Sequence, residues 1–212
     1  YKRQVHLLTV TKDLTFDIQR IKFQFDDVKP DFVIISHASN VLGVIAPYEQ
    51  VFTLAKKYNA ITLLDMAQTA GLVDADVGQE IVDFAVFAGH KTMYGPTGIS
   101  GFAMKPSCQL EPILFGGTGF ESANQDMPAV LPERFEIGTM NTQAIAGLYA
   151  ALQWIEETRV QALFEREKEN RKRLIDLLNS YVFLKVIGDS AKANYVGIVS
   201  CVIDGISSDT AG

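Results

Sequence analysis

The stretch VFAGHKTMYGPTG, Val86 to Gly98, runs from a short apolar segment into a turn rich in glycine and proline, and it sets His90 and Lys91 at the junction. Apolar residues bounded by Gly and Pro read as a buried strand that ends in a tight turn. In an open parallel sheet the carboxyl ends of the strands are where ligands bind, so an amine at such an end bears on both fold and function.

Working outward, the strand-like runs are VHLLTV from Val5, DFVIIS from Asp31, ITLLD from Ile61, DFAVFA from Asp83 and GISGFAM from Gly98. Several lack polar alternation, which predicts strands covered on both faces. Between the second and third, APYEQVFTLAKKYN spaces Tyr48, Val51, Phe52, Ala55 and Tyr58 as a helix does. Pro47 suits its first turn, Lys56 and Lys57 its last, and Asn59 its stop. Strand, helix, strand in this order predicts two parallel strands joined right-handedly.

A glycine- and proline-rich connection, FGGTGFESANQDMPAVLPERFEIGT, leads to a long helical tract. Its first part, NTQAIAGLYAALQWIEE, is small and apolar and is expected to be buried. Its second, FEREKENRKRLIDLL, spaces Glu167 with Arg171 and Glu169 with Arg173 as exposed ion pairs. YVFLKVIG and YVGIVSCVIDG close the chain as separate strands. The predicted class is α/β: a mainly parallel sheet with helices on both faces over residues 1–158, then a connecting helix and the start of a smaller α+β domain over 159–212.

With 212 residues, 48% hydrophobic and 21% charged, the chain can bury a core without metal or disulfide. A net charge of −6 without a basic stripe argues against nucleic acid or an anionic membrane as partner. Cys108 and Cys201 lie far apart, in no metal-binding spacing, which suits a reducing compartment. No run is long enough to span a membrane, and the chain reads as soluble and cytoplasmic. It begins at Tyr1 and stops at SSDTAG, and so reads as an internal piece of a longer protein.

Polar groups fall at the expected ends of three adjacent strands: Asn40 in ISHASN, Asp65 and Gln68 in LLDMAQ, and His90 with Lys91. Singly these are ordinary. Lys91 alone is a loop lysine, Asp65 a strand-end cap, and His6 and His37 read as satisfied structural histidines. Together they describe a pyridoxal 5′-phosphate site. A desolvated lysine is favoured in its neutral form and can condense with an aldehyde. An aspartate can hold a pyridine nitrogen protonated, Asn and Gln can donate to a phenolate oxygen, and His can donate to a phosphate. A domain binding a nucleotide or sugar phosphate is the weaker alternative, since neither a Walker loop nor GxGxxG follows a strand.

SHASNVLG, LLDMAQTAG, FAGHKTMYGPTGISGFAMK and PERFEIGTMNTQAIAGLYAAL resemble, in order and spacing, the class V aminotransferase family of fold-type I pyridoxal phosphate enzymes. The likeness is greatest to the cysteine desulfurase and selenocysteine lyase branch and spans nearly all of residues 31 to 158. It implies removal of sulfur or selenium from a small amino acid, giving alanine, with a homodimer and a possible sulfur-acceptor protein as partners. Other class V activities, an aminotransferase, epimerase or kynureninase-like hydrolase, and a non-catalytic sulfur-relay scaffold are the alternatives. By the same resemblance Lys91 joins the cofactor aldehyde and shuttles the substrate's α-proton. Asp65 pairs with the ring nitrogen, Gln68 and Asn40 lie near the phenolate oxygen, Asn40 also near the substrate carboxylate, and His90 binds phosphate. Thr118, in the turn from Gly116 to Gly119, approaches the phosphate of the neighbouring subunit. The family's usual serine two residues before the histidine is Ala88 here, which removes one phosphate hydrogen bond or moves it elsewhere. The resemblance places neither Cys108 nor Cys201 in the role of sulfur nucleophile, and Cys201 reads as a core residue of a strand.

Overall fold

The computed structural model describes residues 4–119, 126–191 and 193–211. A four-stranded sheet, ordered β1 (Phe32–Ser36), β2 (Ile61–Asp65), β3 (Phe84–Ala88) and β4 (Ser100–Met104), is its centre. The first three strands are parallel, in a register that sets Ser36 beside Asp65 and Asp65 beside Val86. β4 returns antiparallel to β3, with Ala88 opposite Ser100.

The crossover between β1 and β2 is α2 (Tyr48–Lys56), with Pro47 just before its first residue, Glu49 in its first turn and Lys56 in its last. Asn59 adopts φ 57°, the left-handed conformation that stops the helix. Val51, Phe52 and Ala55 are fully buried, on the same side of the sheet as Val33, Ile35 and Leu64. Each large apolar side chain so buried stabilises the fold by about 1.5–3 kcal/mol. α1 (Ile18–Val28) packs on α2 through Ile21 and Phe25. Asp17 caps it by accepting from the Arg20 amide at 3.1 Å.

At the amino-terminal edge of the sheet, Asp83 accepts from the Thr62 amide at 2.8 Å and pairs with Lys56. Burial works against the charged carboxylate, but Lys56 and Thr62 outweigh it and hold the pKa below the usual range. This edge is closed by its own ion pairs, unlike the opposite one.

α3 (Thr142–Thr158) and α4 (Val160–Asn179) meet at Arg159, whose φ of 73° breaks the tract in two. Leu163 of α4 and Ile155 of α3 share a second apolar cluster with Ala38, Leu72 and Val196. Residues 194–196 are laced to 43–45 by backbone bonds, Ile45 to Asn194 and Val196 to Gly43. β5 (Leu184–Ile187) and β6 (Ser200–Ile203) form an antiparallel pair, and α5 (Ser208–Ala211) follows. No helix among the described residues is long and apolar enough to cross a membrane.

Several expectations are corrected. VHLLTV is not a strand: apart from a bridge of Val10 to Phe16 it pairs with no strand among the described residues, and Val5 and Leu7 lie in solvent. α1 was not anticipated at all. Among the described residues β1 and β2 are covered on one face only, because both helices of the first layer pack there, and Phe32, Ile34 and Ile61 on the other face are exposed. In α3 only Ala144, Leu148 and Ile155 are buried, since the helix touches its neighbours along one stripe. Glu169 pairs with Arg173, but Glu167 and Arg171 do not pair; Glu167 accepts from the Gly197 amide and Arg171 binds Asp189. Cys201 is exposed on β6, an edge of a two-stranded sheet with an open face. Part of the expected connection after Phe115 falls on residues 120–125, outside the described residues.

Candidate active site

At the carboxyl end of β1 the chain turns through Ser39, whose hydroxyl accepts from the amides of Val41 and Leu42 at 3.2 and 3.0 Å. This turn presents Asn40 to solvent. Its last residue, Gly43, has φ +72°, and a Cβ there would stand 2.6 Å from the carbonyl oxygen of Ile198, so only glycine lets residues 196–198 close on the turn.

At the end of β2 the half-buried Asp65 has both carboxylate oxygens engaged. Oδ1 accepts from the Ala67 amide at 2.9 Å, and Oδ2 accepts from the Ser36 hydroxyl at 3.3 Å. Gln68, also half-buried, lies in the turn that follows.

His37 braces this end from behind. Its amide donates to the Asp65 carbonyl at 2.8 Å, and its Nδ1 lies 2.9 Å from the Thr69 hydroxyl. The ring is 3% exposed and meets Tyr48 edge to face. Burial lowers its pKa to about 4, against a small opposing effect of Glu49. The sign follows from that depression: above the unfolded value of about 6.5 the ring is neutral in both states, whereas from there down to about 4 only the unfolded chain takes up the proton. Acidification across that window is expected to remove up to about 3 kcal/mol of stability. Urea unfolding at both ends of the window should show a larger loss for the wild type than for His37→Gln; equal losses would refute the assignment. His6, by contrast, is exposed, not a satisfied structural histidine.

After β3 the chain folds back on itself. Gly89 donates to Ile99 at 3.0 Å, Gly95 donates to Gly89 at 2.8 Å, and Tyr94 donates to Lys91 at 3.0 Å. A Cβ at Gly95 would come within 2.8 Å of the Gly89 carbonyl, so the glycines of the quoted stretch let the turn close. His90 and Lys91 ride on its outside and are exposed. The apolar, desolvated surroundings expected for Lys91 are therefore absent among the described residues, because the turn projects beyond the strand ends that helices cover.

Gln68 and Lys91 line one cleft of about 460 Å³, closed on its far side by Arg171 of α4 and by Gly197. Asn40, Asp65, His90 and Thr118 do not line it, nor does either cysteine. Thr118 is half-buried in a loop where Gly117 accepts from the Gly138 amide at 2.7 Å. Ala88, lacking the hydroxyl, faces Ser100 across the β3–β4 ladder. The sequence reading missed Ser36 and Arg171. Ser36 was detectable from the strand register, as it ends β1 where Asp65 ends β2; Arg171 was hidden in a charge run that reads as a solvated face.

The side chains of Asn40, Gln68, His90 and Lys91 make no hydrogen bond or ion pair with any described residue. The edge thus offers one anchored carboxylate with an amine, an imidazole and two amides whose capacity is unspent. That donor set suits a ligand combining a basic ring nitrogen, an oxyanion, a phosphate and an aldehyde.

A family model, aminotransferase class-V, matches residues 1–212. The chain belongs to the aminotransferase class-V family. It is 31% identical over 207 residues to a probable cysteine desulfurase 2 of Mycobacterium leprae, covering 96% of this chain and 49% of the relative. It is likewise 31% identical over 202 residues to the cysteine desulfurase of Escherichia coli K12, covering 93% and 48%. The apo structure of a cysteine desulfurase from Thermococcus onnurineus superposes with a TM-score of 0.82 at 28% identity, over 95% of this chain and 50% of that one. The chain spans about half the length of the curated relatives it matches. These likenesses establish the fold-type I architecture expected from the sequence, and the family is one of pyridoxal phosphate enzymes.

Proposed function

We propose that this chain carries the cofactor-holding part of a cysteine desulfurase or selenocysteine lyase, a pyridoxal-phosphate-dependent enzyme that takes sulfur or selenium from its amino acid and leaves alanine. The observation that carries the reading is the doubly anchored Asp65 at the strand edge that bears Lys91, in a chain 31% identical to cysteine desulfurases over nearly all its length. Residues 1–158 are the large domain and 159–212 the connecting helix and the start of the smaller one.

In this reading Asp65 faces the ring nitrogen, Gln68 and Asn40 the phenolate oxygen, and His90 the phosphate. Ser100 stands opposite Ala88 in the ladder and carries the hydroxyl that Ala88 lacks. When bound, pyridoxal phosphate supplies an electron sink for the pair of electrons left at the substrate α-carbon. Lys91 Nζ would hold the cofactor in the resting enzyme and, once displaced by the substrate's amine, would be the free base that moves the α-proton, while Asn40 would also bind the substrate carboxylate. The sulfur passes to a thiol acceptor.

Thr118 completes the phosphate site of a second copy. Ile113, Leu114 and Phe115, exposed at 89, 66 and 72%, precede its loop and form an apolar surface suited to that contact. Analytical ultracentrifugation of the full-length protein is expected to give a dimer, and a monomer at assay concentration would sink this part. For the activity, full-length protein with pyridoxal phosphate, cysteine and a reductant should release sulfide and alanine in equal amounts, and selenocysteine should give selenide. Amino-group transfer to a keto acid without either product would replace this reading with a transaminase.

A further inference from the structure

We propose that Ser36 is a positioning residue that orients the Asp65 carboxylate toward the ring nitrogen of the cofactor, an inference that rests on the functional reading above. The register of two parallel strands puts Ser36 directly beside Asp65, and both side chains lie on the same face of the sheet. The alternation of burial along β1 shows which face: Val33 and Ile35 turn inward to the helices, and Phe32, Ile34 and Ser36 turn to the open side. Asp65 belongs to that side with Ile61 and Leu63. Ser36 is exposed and adds nothing to the core, yet its hydroxyl is 3.3 Å from Asp65 Oδ2.

A carboxylate held by one oxygen can still swing about its terminal torsion, which is broad for aspartate. The Ala67 amide, at 2.9 Å, fixes Oδ1, and the Ser36 hydroxyl supplies the second restraint at Oδ2. One restraint comes from the turn that follows Asp65's own strand and the other from the neighbouring strand, and together they define a plane. At 3.3 Å the hydroxyl contact is long for an O–H···O bond, so its effect is on direction more than on strength. Oδ2 keeps a free lone pair on the open face, where a ring nitrogen can reach it. His37, next in sequence, is turned to the other side and spent on Thr69, so it cannot take over this task.

The test uses full-length protein loaded with pyridoxal phosphate labelled with ¹⁵N in the ring, whose NMR shift reports protonation of that nitrogen. Ser36→Ala is expected to move the shift part of the way toward that of Asp65→Ala and to lower kcat about fivefold with KM unchanged. Ser36→Thr, which keeps the hydroxyl, should match the wild type, and Ser36→Cys, which keeps the shape but donates weakly, should behave as alanine does. The cysteine variant also serves if the alanine variant fails to fold. An unchanged shift and kcat in Ser36→Ala or Ser36→Cys, with Asp65→Ala displaced, would overturn the role of Ser36 alone. A threonine variant displaced like alanine would do the same. Wild-type protein that takes up no cofactor, or whose ring nitrogen does not respond to Asp65→Ala, would overturn the reading of the site and this inference with it.

Discussion

Lys91→Ala is expected to abolish the covalent, borohydride-reducible attachment of pyridoxal phosphate and to leave the fold standing. Lys91 is exposed and makes no ion pair among the described residues, so its removal should change stability by no more than about 0.5 kcal/mol. The chemical loss is of another order. An aldehyde is captured only by an amine held against it, and Lys91 is the lysine in the turn that leaves the last parallel strand. Lys56, at the end of α2, and Lys105, just after β4, are committed to Asp83 and Glu80 at the other edge. The full-length wild type and variant should be incubated with cofactor, reduced, digested and mapped by mass spectrometry. The wild type should carry a phosphopyridoxyl group on Lys91, and the variant none. The same group on another lysine of the variant would show that the amine has been misassigned.

How much of this could be read from the sequence depended on how far each element is specified by its own residues. The unit from β1 through β2 was legible because its core positions, Val51, Phe52 and Ala55, recur at the helical period and Asn59 stops the helix locally. α1 carried the same signals, with Asp17 as cap and Ile18, Ile21, Phe25 and Val28 at helical spacing on one face, so it too was legible although it was not predicted. VHLLTV, by contrast, failed as a strand. A strand exists only with a partner, and no local pattern says whether one is present.

The site divides in the same way. Strand ends fix where Asp65 and Lys91 stand, and strand ends are marked by glycine and by the close of an apolar run, so both positions in the fold were legible. Burial of Lys91 was misjudged because a turn that closes through its own amides can hold an amine outside the layers, with no apolar cover around it. The contacts of Glu167 and Arg171 were misjudged because helical spacing favours a local ion pair only when nothing farther away competes. Here a backbone amide at Gly197 and the carboxylate of Asp189 do. Arg171 is also drawn over the ring of Tyr195, 4.1 Å from its centroid.

Asp65→Ala is expected to lower turnover far more than it lowers cofactor occupancy. Several contacts hold the cofactor in the proposed site, so losing one leaves binding weakened but present. In the proposed site the Asp65 carboxylate would keep the ring nitrogen protonated, and that positive nitrogen is what would let the ring accept the electrons left at the α-carbon; removing a preorganised electrostatic partner of that kind costs about 10²–10³ in kcat. The structural side effect is small: the Ala67 amide and the Ser36 hydroxyl lose their acceptor at a half-buried position, worth about 1 kcal/mol each at most. Asp65→Asn separates the two contributions, because the amide oxygen still accepts from Ala67 while the charge is gone. If charge matters, the asparagine variant should be as slow as the alanine variant; if the carboxylate only shapes the turn, it should resemble the wild type. Exchange of the substrate α-proton with deuterium, followed by NMR in full-length protein, isolates the step from sulfur transfer. Exchange at the wild-type rate in both variants would show that Asp65 does not face the ring.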